Sequence, residues 1–94
     1  MPEFMMLMKS SGHGGNAADW EQYIETLSES GLFRGGSALG NGICTNQQDK
    51  GGQCVVSGYM RFEAVSIERV LALVPGNPVY ESGGDVEVLE VLKT

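Results

Sequence analysis

The sequence predicts an α+β domain with the element order strand, helix, strand, strand, helix, strand. Two segments repeat apolar residues at positions i, i+3, i+4 and i+7, which is the spacing of an amphipathic helix. Residues 53–64 alternate between an apolar face and a mixed face, as a long strand does. Glycine-rich turns separate these segments, and 94 residues is the length of one domain. We therefore expect one domain over residues 1–94.

The N-terminal part predicts a strand followed by a helix. Residues 3–9 are apolar on both alternating faces, which is typical of a strand covered on both sides. Asn16 is a favourable N-cap, and Asp19 follows at the capping-box position. The helix ends at Gly31. Its apolar stripe consists of Trp20, Tyr23, Ile24 and Leu27.

Two further strands follow. Residues 32–39 contain Gly35-Gly36, which indicates a β-bulge or a close approach of two backbones. The polar turn 46–52 is expected to join a short extension at 43–45 to the next strand as a hairpin. The strand predicted over 53–64 should contact the helices through Val56, Gly58, Met60 and Phe62. Its other face consists of Val55, Ser57, Tyr59 and Arg61.

The C-terminal part predicts a second helix and a last strand. Ser66 is the expected N-cap, and Pro75-Gly76 ends the helix. The apolar stripe of this helix is formed by Ile67, Val70, Leu71 and Val74. Asn77-Pro78 predicts one extra helical turn through Glu81. Residues 85–92 are rich in valine and leucine and predict the last strand.

This element order favours a four-stranded antiparallel sheet with both helices on one face, the ferredoxin-like arrangement. The opposite face then carries an apolar surface, which usually marks an interface or a ligand site. Two copies are expected to pair through these faces into a dimeric α+β barrel with a cleft between the sheets. The candidates for this surface are Tyr59, Val55, Leu89 and Val91, with either Met5 and Leu7 or Met6 and Met8.

Composition and charge exclude several function classes. The net charge of −6 disfavours nucleic acids and anionic membranes as partners, because both require a basic patch. No apolar run approaches the roughly 20 residues of a membrane span, and we expect a cytoplasmic protein. Cys44 and Cys54 are predicted to be reduced, partly buried thiols rather than a disulfide. No metal-ligand spacing or nucleotide fingerprint is present, so no cofactor is expected.

Several segments resemble the YCII-related family. They are residues 58–64, the predicted helix 66–75 and the segment 77–88, together with residues 4–8 and 31–39. The resemblance covers most of the chain, which is then a single YCII-like domain. It implies a dimeric α+β barrel with a pocket between sheet and helices or between subunits. It further implies either a small enzyme that uses a His–Asp pair or an association with sigma-factor-like regulators.

The sequence departs from that family at two points. Relatives with the proposed catalytic pair have their histidine in the first helix, whereas residues 17–30 contain none. The Asp-Gly-Pro-Phe signature of a large subgroup is missing from residues 45–57. The resemblance therefore does not imply the proposed His–Asp mechanism for this chain.

The candidate binding residues come from one strand face. Tyr59 and Arg61 share this face with Ser57, and an arginine beside a tyrosine is suited to an anionic or aromatic small molecule. The alternative is an interface role, in which Arg61 pairs with Glu87 or Glu90 across strands or subunits.

Two residues outside this face are also candidates. Arg34 lies at a strand entrance, where it either contacts a ligand or only solvates the edge. His13 is the only histidine and the candidate general acid or base, because imidazole exchanges a proton near neutral pH. The alternative for His13 is an exposed loop residue.

Two functions follow from these observations. The first is a homodimer that binds a small organic molecule, including an anionic one, in a cleft on the sheet face. Proton transfer or elimination on a small organic acid would suit such a site. The second is a non-catalytic dimerisation or regulatory module.

Overall fold

The computed structural model describes residues 1–9, 16–48, 56–93 and the backbone of 52–53. Four strands form one sheet, with the helices packed against one face, and two short strands form a separate hairpin. In chain order the elements are β1 (Glu3–Lys9), α1 (Ala17–Glu29), β2 (Phe33–Ala38), β3 (Ile43–Cys44), β4 (Gly52–Gln53), β5 (Val56–Glu63), α2 (Ile67–Leu71), α3 (Pro78–Glu81) and β6 (Asp85–Val91).

The large sheet has the strand order β2-β5-β1-β6, and every neighbouring pair is antiparallel. This is the ferredoxin-like arrangement, so the predicted fold class is confirmed. The predicted extra turn opened by Asn77-Pro78 is also present, as α3. The described part of the chain thus places three helices, rather than two, beside the sheet. None of them is long and apolar enough to cross a membrane.

The two faces of the sheet differ in burial. The inner face, which packs against the helices, contributes the buried residues Phe4, Met6, Met8, Met60 and Phe62. The helical side completes this core with Tyr23, Leu27, Val70, Val74 and Val79. Met5 and Leu7 therefore belong to the outer face, where they pair with Arg61 and Tyr59 of β5. Leu89 and Val91 of β6 share the outer face and stay exposed.

Local capping signals set the boundaries of α1. The Asn16 side chain accepts a hydrogen bond from the Asp19 backbone N–H at 2.9 Å. The Asp19 carboxylate in turn accepts from the Asn16 backbone N–H at 3.3 Å, so the predicted capping box is complete. Gly31 follows the helix with a φ of 76°, a conformation that glycine adopts without steric cost.

The second helix is shorter than predicted. It ends at Leu71, after which Leu73 and Val74 donate to carbonyls only three residues back. Val74 is buried after this tighter turn, whereas Leu71 is 47% exposed and does not join the core as the predicted stripe requires. Ser66 lies at the N-cap position, but its side chain makes no capping hydrogen bond.

The two glycines in β2 serve the two purposes that the sequence indicated. Gly35 has a φ of 104°, and the β2–β5 register shifts between Phe33 and Gly36, which defines a bulge. A methyl group at Gly36 would overlap the Tyr59 carbonyl oxygen of the neighbouring strand. Both the bulge and the close backbone approach are therefore present.

The strand predicted over 53–64 is divided in the structure. β4 pairs with β3 as the short predicted hairpin, and β5 begins at Val56. Val55 of the predicted outer face lies outside the described residues. Within β5 the predicted alternation is confirmed, because Gly58, Met60 and Phe62 are buried on the inner face.

Candidate functional site

A cavity lies between α1 and the inner face of the sheet, near the edge formed by β2 and β5. Its volume is about 330 Å³. We call it the α1–sheet cavity. Side chains from α1, β1, β2, β5 and α3 surround it, among them Trp20, Ile24, Met8, Phe33, Met60 and Val79. This volume is at the lower end of the range of small-molecule pockets, which begins at about 300 Å³.

Small residues at one end of the sheet create the α1–sheet cavity. Gly36, Ala38 and Gly58 occupy neighbouring inner-face positions on β2 and β5, where larger side chains would reach the helix. Gly58 also permits close packing, since a methyl group there would lie 2.9 Å from Met8 Cε. Above them, Trp20 and Ile24 of α1 are only partly buried. The helix and this end of the sheet therefore do not fill the space between them.

Aromatic and thioether groups give the cavity an apolar lining. Phe33 stacks at a tilt on Phe62, with ring centroids 5.7 Å apart. Trp20 meets Tyr23 edge to face at 6.3 Å. These pairs fix the two rings, Phe33 and Trp20, that border the cavity. The arrangement is suited to holding a small apolar molecule, but its described lining contains no histidine or carboxylate that could move a proton near pH 7.

The predicted binding residues Ser57, Tyr59 and Arg61 occupy alternating positions of β5. Ser57 and Tyr59 both border the α1–sheet cavity, but strand alternation places their side chains on the outer face. Ser57 Oγ donates a hydrogen bond to the Met8 carbonyl oxygen at 3.2 Å. Arg61 is exposed on the outer face, with Nη2 3.9 Å from Glu3 Oε2. The predicted pairing with Glu87 or Glu90 is wrong for the single chain, because β1 separates β5 from β6.

Arg34 lies in the β2 bulge and does not border the cavity. Its Nη1 donates to the carbonyl oxygens of Gly31 at 3.0 Å and Phe33 at 3.1 Å. Its Nε is 3.8 Å from Glu63 Oε2. The structure therefore brings Ser57 and Tyr59 to the cavity but leaves both arginines at the surface, each beside a glutamate.

Of the remaining candidates, only Cys44 lies among the described residues. His13 and Cys54 lie outside the described residues. Cys44 is exposed in the β3–β4 hairpin, which corrects the prediction of partial burial, because this hairpin forms a sheet of its own. Within the described ranges no cluster of His, Cys, Asp or Glu could hold a metal ion.

Sequence reasoning missed a buried polar contact beneath the cavity. Asn77 is fully buried, and its Oδ1 accepts from the backbone N–H groups of Val79 and Tyr80. Its Nδ2 lies 3.3 Å from the sulfur of Met8, which borders the cavity. Tyr23 donates its hydroxyl to the Leu73 carbonyl oxygen at 2.6 Å. Burial raises the pKa of Tyr23, and the Asn77 side chain lowers it in part.

Of the comparisons with known proteins, only the one with solved structures found similar proteins. No family model and no curated protein matches the chain. One similar structure is the 5-chloro-2-hydroxyhydroquinone dehydrochlorinase of Burkholderia phenoliruptrix in complex with 2,5-dihydroxybenzoquinone. It is 22% identical, with a TM-score of 0.62 over 98% of this chain and 95% of that one. The likeness is one of fold.

A second similar structure is a nitrogen regulatory PII-like protein from Thiomonas intermedia, bound to ADP, AMP and bicarbonate. It is 20% identical, with a TM-score of 0.44 over 96% of this chain and 89% of that one. We derive nothing from this match.

Proposed function

We propose that this protein binds a small organic molecule in the α1–sheet cavity. The observation that carries the proposal is the cavity itself, a space of about 330 Å³ that two glycines and an alanine leave open beside aromatic side chains. Gly36 and Ala38 are exposed, so the cavity opens to the surface and a ligand can enter it. A bound ligand would remove the apolar lining from contact with water, which is favourable.

The resemblance of most of the chain to a YCII-like domain supports the same function. That family resemblance implies a pocket between sheet and helices, which is where this cavity lies. The dehydrochlorinase with the same fold was solved with a quinone ligand. Proton transfer or elimination on the bound molecule would require a proton-exchanging group, and His13 stays our candidate for it. The predicted binding residues Tyr59 and Ser57 border the cavity, and their side chains stay candidates for a ligand on the outer face.

We further propose that two copies associate through the outer face. Met5, Leu7, Tyr59 and Leu89 form an apolar patch at the centre of this face. Around it lie two ion pairs, Lys9–Glu87 at 2.8 Å and Arg61–Glu3 at 3.9 Å. An apolar centre with a charged rim is the usual composition of a protein interface. In this dimer, Arg61 and Arg34 would flank the cleft between the sheets, where an anionic ligand is the second candidate.

A stabilisation screen with two matched variants tests the binding function. Ala38 borders the cavity and is exposed, so Ala38→Leu fills the space without removing a buried group. Ala72→Leu makes the same change at an exposed residue that does not border the cavity. We expect small ring compounds to raise the melting temperature of the wild type and of Ala72→Leu, but not of Ala38→Leu.

Two other results would contradict this proposal. If no compound stabilised the wild type, the cavity would not be a binding site, and the non-catalytic dimerisation module would be favoured. If Ala38→Leu responded as the wild type does, the ligand would be bound elsewhere, with the cleft at Arg61 and Arg34 the next site to examine.

A further inference from the structure

We infer that the α1–sheet cavity selects an uncharged, single-ring molecule. This inference rests on the proposed function and adds the chemical class of the ligand. It follows from two properties of the lining, namely its charge and the shape of its walls.

The charge of the lining excludes ionic ligands. No lysine, arginine, histidine, aspartate or glutamate is among the described residues that border the cavity. A carboxylate that entered it would lose water without gaining a counter-charge, which is strongly unfavourable. The two arginines predicted as ligand contacts lie outside the cavity beside Glu3 and Glu63. The net charge of the chain, −6, further opposes the approach of an anion.

The walls of the cavity are suited to a flat ring. Trp20 and Phe33 provide aromatic surface, and Met8 and Met60 provide thioether chains. Thioethers make favourable contacts with aromatic rings and adapt to their outline. A volume of about 330 Å³ limits the ligand to roughly one substituted ring. Phenol and anisole combine these features, because both are neutral at pH 7 and flat.

Trp20 makes binding directly measurable. It is the only tryptophan in the chain and it borders the cavity, so a ring bound there should change its fluorescence. The probes are phenol, anisole and benzoate, titrated into the full chain. Phenol and anisole are neutral rings, whereas benzoate keeps the ring but is anionic. We expect phenol and anisole to bind at least about tenfold more tightly than benzoate.

The inference and the proposed function fail in different ways. Benzoate binding as tightly as phenol and anisole would overturn the ligand class while leaving small-molecule binding intact. If no probe and no compound of the stabilisation screen gave a response, both the ligand class and the proposed function would be overturned. Ala38→Leu must weaken phenol binding by at least about tenfold and Ala72→Leu must not. The opposite pattern would place the phenol outside the cavity and overturn the inference.

Discussion

Asn77 links three parts of the structure through one side chain. Its Oδ1 caps α3, its amide group lies against the sulfur atoms of Met6 and Met8, and no part of it reaches solvent. A buried amide is stable only when its hydrogen-bonding groups have partners. Because Met8 borders the α1–sheet cavity, Asn77 also helps to position one wall of the proposed site.

Replacing Asn77 should therefore cost stability. We expect Asn77→Ala to lower the free energy of unfolding by about 1–2 kcal/mol, since it removes the α3 cap and leaves a small void. Ser66→Ala is the matched control, because Ser66 is an N-cap whose side chain makes no capping bond. Its cost should stay within about 0.5 kcal/mol. Urea denaturation measures the free energy of unfolding of both variants. Equal losses in the two would show that the Asn77 cap is unimportant.

Tyr23 should make stability fall at alkaline pH. Burial raises its pKa above the unfolded value of 10.0, so above that pH the unfolded chain loses the proton first. The stabilisation is complete below pH 10 and is lost as the pH rises toward the folded pKa. Tyr23→Phe should cost about 1 kcal/mol below pH 10 through the lost bond to Leu73, and this deficit should shrink above pH 10.

The control for this titration is Tyr80→Phe, since Tyr80 is 48% exposed. Its unfolding free energy should follow the wild type at every pH. A Tyr23→Phe deficit that stayed constant between pH 8 and pH 11 would contradict the assigned role of burial.

At the scale of elements, the features that local chemistry determines could be predicted from the sequence. The capping box of α1, the short helix at Asn77-Pro78 and the bulge at Gly35 each depend on a few adjacent residues. The sequence did not decide which face of β1 points inward, because its methionines and leucine are apolar on both faces. Only its pairing with β5 and β6 decides this.

The residues that form the α1–sheet cavity were not predicted, for a similar reason, although the YCII resemblance implies a pocket between sheet and helices. Gly36, Ala38 and Gly58 are separated in sequence and become neighbours only when β2 pairs with β5. The glycines of β2 indicate a bulge or a close backbone approach, and the sequence alone does not show that they also border a void. The outer-face residues Tyr59 and Arg61 were predicted as the ligand contacts because strand alternation identifies a face, whereas it does not locate a void.

The close contact between β2 and β5 gives a prediction about these elements. Gly36→Ala places a methyl group against the Tyr59 carbonyl, a backbone atom that cannot move aside, so it should cost about 1–3 kcal/mol. Gly40→Ala is the control, since nothing lies within 4 Å of the added methyl group. The melting temperatures of the two variants compare these costs. If Gly36→Ala left the melting temperature unchanged, the backbones of β2 and β5 would be further apart than the structure has them.

At the scale of the whole molecule, the outer face explains why so small a domain should associate. A chain of 94 residues buries only about 60–65% of its unfolded surface, so it gains from an interface. The described helices cover the inner face only, and Leu89 and Val91 remain exposed on the other. We propose that the sheet of a second copy covers the outer face, because the apolar patch is central and its rim contains residues of both charge signs.

Two leucines of equal exposure test this association. Leu89 is 46% exposed on the outer face and Leu71 is 47% exposed at the end of α2. We expect sedimentation velocity to show a dimer for the wild type and for Leu71→Lys, and a monomer for Leu89→Lys. A monomeric wild type at high concentration would refute the proposed dimer, as would a Leu89→Lys variant that remained dimeric.

The central claim is that a small molecule binds on the inner side of the sheet, in the α1–sheet cavity. Amide chemical-shift mapping during a phenol titration tests this claim most directly, because it reports the position of the ligand. We predict that the largest shifts occur at Gly36, Gly58 and the Trp20 indole N–H, which surround the cavity. Shifts confined to Met5, Leu89 and Arg61 would place the ligand on the outer face and contradict the account.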